Sequence, residues 1–173
     1  MTIDTGYRNE RMDVYLFIPK RGREPFQPVV FFPGYSSFQI RRSSNSFDPA
    51  QPGYPLDYII KSGRVLVQPI YQGTYERWNP IDVTDEANYP RKMVDWRWDL
   101  GRTLDYLQSR HDIDSSRIGY LGTSFGGSYA LPLLVVEGRF KAAILISGGL
   151  TTQETVPPIT DCVNYASPRS ARV

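Results

Sequence analysis

Ser124 stands at the apex of Gly122-Thr123-Ser124-Phe125-Gly126-Gly127, directly after the apolar run Arg117-Ile118-Gly119-Tyr120-Leu121. The pattern predicts a strand that turns sharply into a helix with a serine at the turn, the arrangement of a nucleophile elbow. A serine hydroxyl becomes a nucleophile only when a base takes its proton. The oxyanion that then forms needs hydrogen-bond donors aimed at it. The N–H of Phe125 opens the following helix and is the first donor expected. Crowding at such a turn requires small residues two before and two after the serine, and Gly122 and Gly126 satisfy it. Ser128 to Val136 follows as an apolar helical segment, in which Pro132 predicts a kink or a late start.

The base is harder to find. The chain has one histidine, His111, and it precedes the serine. His111 lies between a predicted helix and the strand that begins near Arg117. Seven strand residues at about 3.3 Å each place it roughly 20 Å from Ser124. A base must come within about 3 Å, or act through one water. His111 therefore does not serve Ser124 within one chain; only a second subunit could present it. Its own expected role is cationic, at a helix C-terminus. Glu76 and Asp161 are the carboxylate candidates, each a weak base unless burial raises its pKa. Glu76 is expected to pair with its neighbour Arg77 instead.

The elements that must position these groups can be read from apolar runs and their periods. Asp13 to Pro19, Pro28 to Phe32, Arg64 to Ile70, Arg117 to Thr123 and Phe140 to Ser147 read as strands, the last of them as a buried one. Leu56 to Lys61 reads as a short helix stopped near Gly63. Arg91 to Arg110 reads as a long helix, with Met93, Trp96, Leu100, Leu104 and Leu107 at spacings of three and four. Strands alternating with helices imply right-handed βαβ units and a mostly parallel sheet flanked by helices. In such a sheet the site lies beyond the carboxyl ends of the strands. Those ends carry Pro33 to Ser37, Tyr71 to Arg77, Ser124 and Ser147 to Gly149. Gly34 frees the first of these loops to approach a ligand, so Tyr35 is the expected second oxyanion N–H, with Ser36 next.

Composition narrows the class. The chain has 173 residues, 40% hydrophobic and 22% charged. This predicts one domain over residues 1–173 with a sizeable core. A net charge of +2 gives no electrostatic case for nucleic acid. The single cysteine, Cys162, allows a reducing compartment. With no leader pattern and no long apolar run, a cytoplasmic location without membrane attachment is expected. No cluster of residues has metal-ligand spacing, so no cofactor is expected.

Several strings together resemble a known group. They are Phe31-Phe32-Pro33-Gly34, Lys61-Ser62-Gly63-Arg64, Pro69 to Arg77, Asp99 to Leu107, the serine turn and Arg139 to Ala143. The chain looks like an α/β-hydrolase domain of the dienelactone-hydrolase/prolyl-oligopeptidase-like type. It is similar to hydrolase domains fused to bacterial serine/threonine kinases. The resemblance implies ester hydrolysis, with Ser124 as nucleophile and the Tyr35 and Phe125 N–H groups as oxyanion donors. In that family the acid and the histidine follow the nucleophile, after two further strands. Here Asp161, Asn164-Tyr165-Ala166 and Pro168-Arg169 look like the approach to the first of those strands. The resemblance thus implies an incomplete, C-terminally truncated α/β-hydrolase fold that lacks the last strands. Its sheet would end at the Phe140 to Ser147 strand. An apolar edge there predicts self-association, as a dimer or larger, through that edge and residues 151–173. Two functions stand as expectations: a serine carboxylesterase acting on small acyl esters, or an inactive hydrolase fragment that serves as an oligomerising or binding module.

Overall fold

The computed structural model of the chain describes residues 1–45, 56–80 and 86–148. Among these residues, six strands form one sheet: β1 (Thr2–Asp4), β2 (Arg11–Phe17), β3 (Pro28–Phe32), β4 (Val65–Pro69), β5 (Ile118–Thr123) and β6 (Phe140–Ile146). Their spatial order is β1-β2-β4-β3-β5-β6. The pairs β4–β3, β3–β5 and β5–β6 are parallel, and the first two strands run antiparallel at one edge. The expected mostly parallel sheet is therefore present. The sequence reading missed β1, which is three residues long and carries no apolar alternation.

Residues of β3 and β4 are buried throughout, as expected of strands covered on both faces; β3 is wholly apolar, and β4 is apolar apart from the buried Gln68. Helix α1 (Asp57–Lys61) covers one face, where Leu56 and Ile59 pack with Val29, Phe31, Leu66 and Leu121. Helix α2 (Tyr89–Gln108) covers the other with Met93, Trp96, Leu100, Leu104 and Leu107, the stripe expected from the sequence. It begins two residues before the expected start at Arg91, because Pro90 fits the first helical turn, and it ends two residues before Arg110. Helices α3 (Phe125–Ser128) and α4 (Ala130–Val136) divide at Tyr129. Pro132 sits in the first turn of α4, where its missing N–H costs nothing.

β6 departs from expectation. Its sequence reads as a buried strand, yet Lys141 to Ile144 and Ile146 are exposed. The physical reason is position: β6 is the last strand in the sheet order, and β5 is its partner on one side. The residues expected to continue beyond it, 149–173, lie outside the described residues, as do Asp161 and Cys162. Among the described residues no helix is long and apolar enough to cross a membrane.

Candidate active site

Ser124 connects β5 to α3 with φ 49° and ψ −111°. This backbone conformation is sparsely populated by any side-chain-bearing residue and costs on the order of 1–3 kcal/mol. Close packing on both sides enforces it. A side chain at Gly122 would overlap Gly126, and one at Gly126 would overlap the Phe32 carbonyl. Backbone hydrogen bonds lock the turn. Ser124 N–H donates to Ile146 at 2.7 Å, Gly126 N–H donates to Pro33 at 3.2 Å, and the Ser124 carbonyl accepts from Gly127 and Ser128 at 2.9 and 2.8 Å. The buried Tyr120 hydroxyl donates to the Gly126 carbonyl at 2.8 Å. That support follows from the aromatic at the centre of β5 and was not read from sequence. Ser124 is exposed.

The loop after β3 lies against this serine. A side-chain carbon on Gly34 would stand 3.4 Å from Ser124 Cβ. Gly34 caps a 3₁₀ turn, Tyr35–Phe38, and its carbonyl accepts from the backbone and hydroxyl of Ser37 at 3.1 and 2.8 Å. Tyr35 and Phe125 each open a helical turn, so their N–H groups have no acceptor within it. The Phe125 ring is sunk among Phe38, Trp96 and Tyr129, with centroids 4.9, 5.5 and 4.5 Å away. Phe32 joins the same cluster, stacked on the buried Tyr71 at 4.0 Å. The aromatic residues at Tyr71, Tyr75 and Tyr89 are buried, so they are core rather than exposed pocket wall.

The carboxylates behave differently from expectation. Glu76 does not pair with Arg77. Its Oε1 accepts from both the N–H and the hydroxyl of Ser43, each at 2.8 Å. Arg77 turns inward to Asp99 at 2.7 Å and to Glu10 at 3.0 Å, and also donates to the Ile70 carbonyl and the Tyr7 hydroxyl. Asp99 in turn accepts from the Gln72 N–H and from Tyr7, both at 2.8 Å. The reason is burial: Asp99 sits on the sheet-facing side of α2 beside Trp96 and Leu100, where an unpaired carboxylate would be costly. A charged residue inside that apolar stripe was the sequence signal for this network. Burial pushes Asp99 up to about 6 against the pull of Arg77. Burial disfavours the Arg77 charge as well, but Asp99 and Tyr7 reverse this and hold it above its ordinary range.

His111 lies exposed in the turn after α2, at the end of β5 opposite Ser124, as the sequence spacing requires. Among the described residues the Ser124 hydroxyl has no hydrogen-bond partner, and no group of His, Cys, Asp and Glu is gathered as a metal ion would need.

No protein-family model and no curated protein sequence matches the chain. Solved structures do. Est1E from Butyrivibrio proteoclasticus, solved with ferulic acid, aligns over 84% of this chain and 51% of its own, at 15% identity and a TM-score of 0.59. Acetyl xylan esterase 1 from a Thermoanaerobacterium species aligns over 83% and 46%, at 18% identity and 0.56. A protein of Klebsiella pneumoniae assigned as a dienelactone hydrolase aligns over 95% and 67%, at 16% identity and 0.62. The chain spans about half the length of the first two and two thirds of the third. The chain has the α/β-hydrolase fold.

Proposed function

We propose that the chain is a serine ester hydrolase acting on small acyl esters. Ser124 Oγ bonds to the ester carbonyl carbon, and the Tyr35 and Phe125 N–H groups hold the oxyanion. Collapse of that intermediate breaks the bond to the alcohol, which leaves with the proton taken from Ser124. Water then releases the acyl group as its acid. The carrying observation is the Ser124 backbone at φ 49° and ψ −111°, wedged between Gly122 and Gly126 and facing Gly34. A chain that needed only a strand-to-helix turn would not hold a serine in so unfavourable a conformation. The esterases and hydrolases among the structural neighbours support this reading. The proton acceptor is His111 of a second chain, a carboxylate, or a group outside the described residues. A nucleophile with its oxyanion donors but a missing triad member still gives roughly 10³–10⁴-fold over water. Activated esters are therefore the first substrates to try.

A second reading, an inactive fold that binds or assembles, is favoured by a Ser124 hydroxyl with no partner among the described residues and by the exposed β6. Hydrolysis of p-nitrophenyl acetate and butyrate by wild type, Ser124→Ala and His111→Ala separates the two. Loss of turnover in Ser124→Ala together with labelling of wild type by a fluorophosphonate supports the esterase. Loss in His111→Ala as well means that a second chain presents the base. Wild type equal to the buffer blank, with no labelling, leaves the binding module.

A further inference from the structure

The loop that carries Tyr35 is tied at three points to the loop after β4. The Gly73 backbone packs on the Phe38 ring, where an added side-chain carbon would lie 3.4 Å from it. The Arg41 guanidinium lies 3.6 Å above the Trp78 ring. Glu76 receives both Ser43 donors on one oxygen. The first two are an edge contact and an exposed stack. The third is a charge-assisted pair of bonds onto a serine that is only 2% exposed. Glu76 is itself fixed, because its neighbour Arg77 is clamped to Asp99 on α2 and to Glu10, next to β2. A continuous line of bonds therefore runs from the rigid core through residues 76 and 77 to the loop that places the Tyr35 N–H.

We propose that Glu76 is a positioning residue that fixes the oxyanion-side loop, residues 34–45, against the sheet, and is not a base. The inference deepens the reading of Ser124 as nucleophile and rests on it for its kinetic consequence. The bond pattern makes a sharp distinction. A carboxamide oxygen accepts from Ser43 as a carboxylate oxygen does, but it takes no proton. Glu76→Gln should therefore keep kcat for p-nitrophenyl acetate within about threefold. Glu76→Ala should lower kcat about 10- to 100-fold with KM nearly unchanged, because a displaced donor harms the transition state more than the ground state.

Hydrogen exchange of the peptide covering residues 33–45 tests the same claim without turnover. Glu76→Ala should lose protection there and Glu76→Gln should keep it, with Ser43→Ala intermediate because it removes one of the two bonds. Equal protection in wild type and Glu76→Ala overturns the proposal, as does a Glu76→Gln enzyme as slow as Glu76→Ala. If wild type shows no Ser124-dependent turnover, the esterase reading fails, while the exchange result still decides the role of Glu76. Should Glu76→Ala not fold, Ser43→Ala carries the exchange test by itself, and unchanged protection in it overturns the proposal.

Discussion

The carbonyl of Phe32 occupies the space in which a side chain of Gly126 would stand. The end of β3 and the start of α3 are thus pressed together directly behind Ser124. Gly126→Ala cannot be absorbed by a flexible side chain, because the obstacle is backbone. One of the two segments must move, and with it either the serine or the Tyr35 loop. The variant should lose at least 100-fold in Ser124-dependent turnover. Its melting temperature should also fall, as expected of an overpacked site costing about 1–3 kcal/mol. A variant with wild-type rate and stability would show that this contact does not hold the turn.

Strain at Ser124 makes a second prediction of opposite sign for stability and activity. A residue without a side chain relaxes the φ 49°, ψ −111° conformation, whereas alanine does not. Ser124→Gly should be more stable than Ser124→Ala by about 1–2 kcal/mol. For a chain of this length that is a few degrees in melting temperature. Both variants should be inactive. Equal melting temperatures would remove the strain argument on which the functional reading stands.

Much of this architecture was legible in the sequence, and the reasons differ by element. β3 and β5 carry uninterrupted apolar runs, and α2 carries a regular apolar stripe, so both type and place follow from period. The serine turn was legible because glycine spacing reports steric crowding directly. Three things were not. The destination of Glu76 and Arg77 depends on which way a tight turn with Tyr75 at φ 46° faces its side chains, and adjacency in sequence pointed to the wrong pair. The partners of Asp99 were not legible, because Tyr7, Gln72 and Arg77 are far from it in sequence, although a charge on the buried side of α2 signals that partners must exist. The exposure of β6 depends on what lies beside it, which no property of its own residues encodes.

The buried network gives a pH prediction. Burial raises Asp99 from the ordinary 3.8 to about 6, although Arg77, the Gln72 N–H and Tyr7 all favour its charged form. Folding therefore takes up a proton at Asp99 between roughly pH 4 and pH 6. The stability this group contributes is complete below about pH 4 and is lost as pH rises through 6. Asp99→Asn does not titrate there. The stability of wild type minus that of Asp99→Asn should fall from pH 4 to pH 7, by up to about 3 kcal/mol for a shift of about two units. Urea unfolding at both pH values measures it. A difference that grows with pH would mean that Arg77 outweighs burial.

The exposed last strand leads to a prediction about assembly. β6 pairs with β5 on one side, and Ile144 and Ile146 are exposed, at 53% and 41%. An apolar strand edge is a template for another chain. Two copies of β6 running antiparallel about Ala143 would set Ala142 opposite Ile144 and Lys141 opposite Leu145. The only charge on the strand then meets an apolar partner rather than its own copy, so no like-charge pair opposes the contact. The chain should behave as a dimer at tens of micromolar in light scattering. Ile144→Lys should return it to a monomer without loss of folding, because that side chain is exposed in the single chain. The same variant separates the sources of the missing base. If Ser124-dependent turnover disappears with the dimer, the partner chain supplies the group that takes the proton. If turnover persists in the monomer, the group belongs to the same chain. A wild-type mass of one chain at that concentration would remove the edge as an interface and leave the base within a single copy.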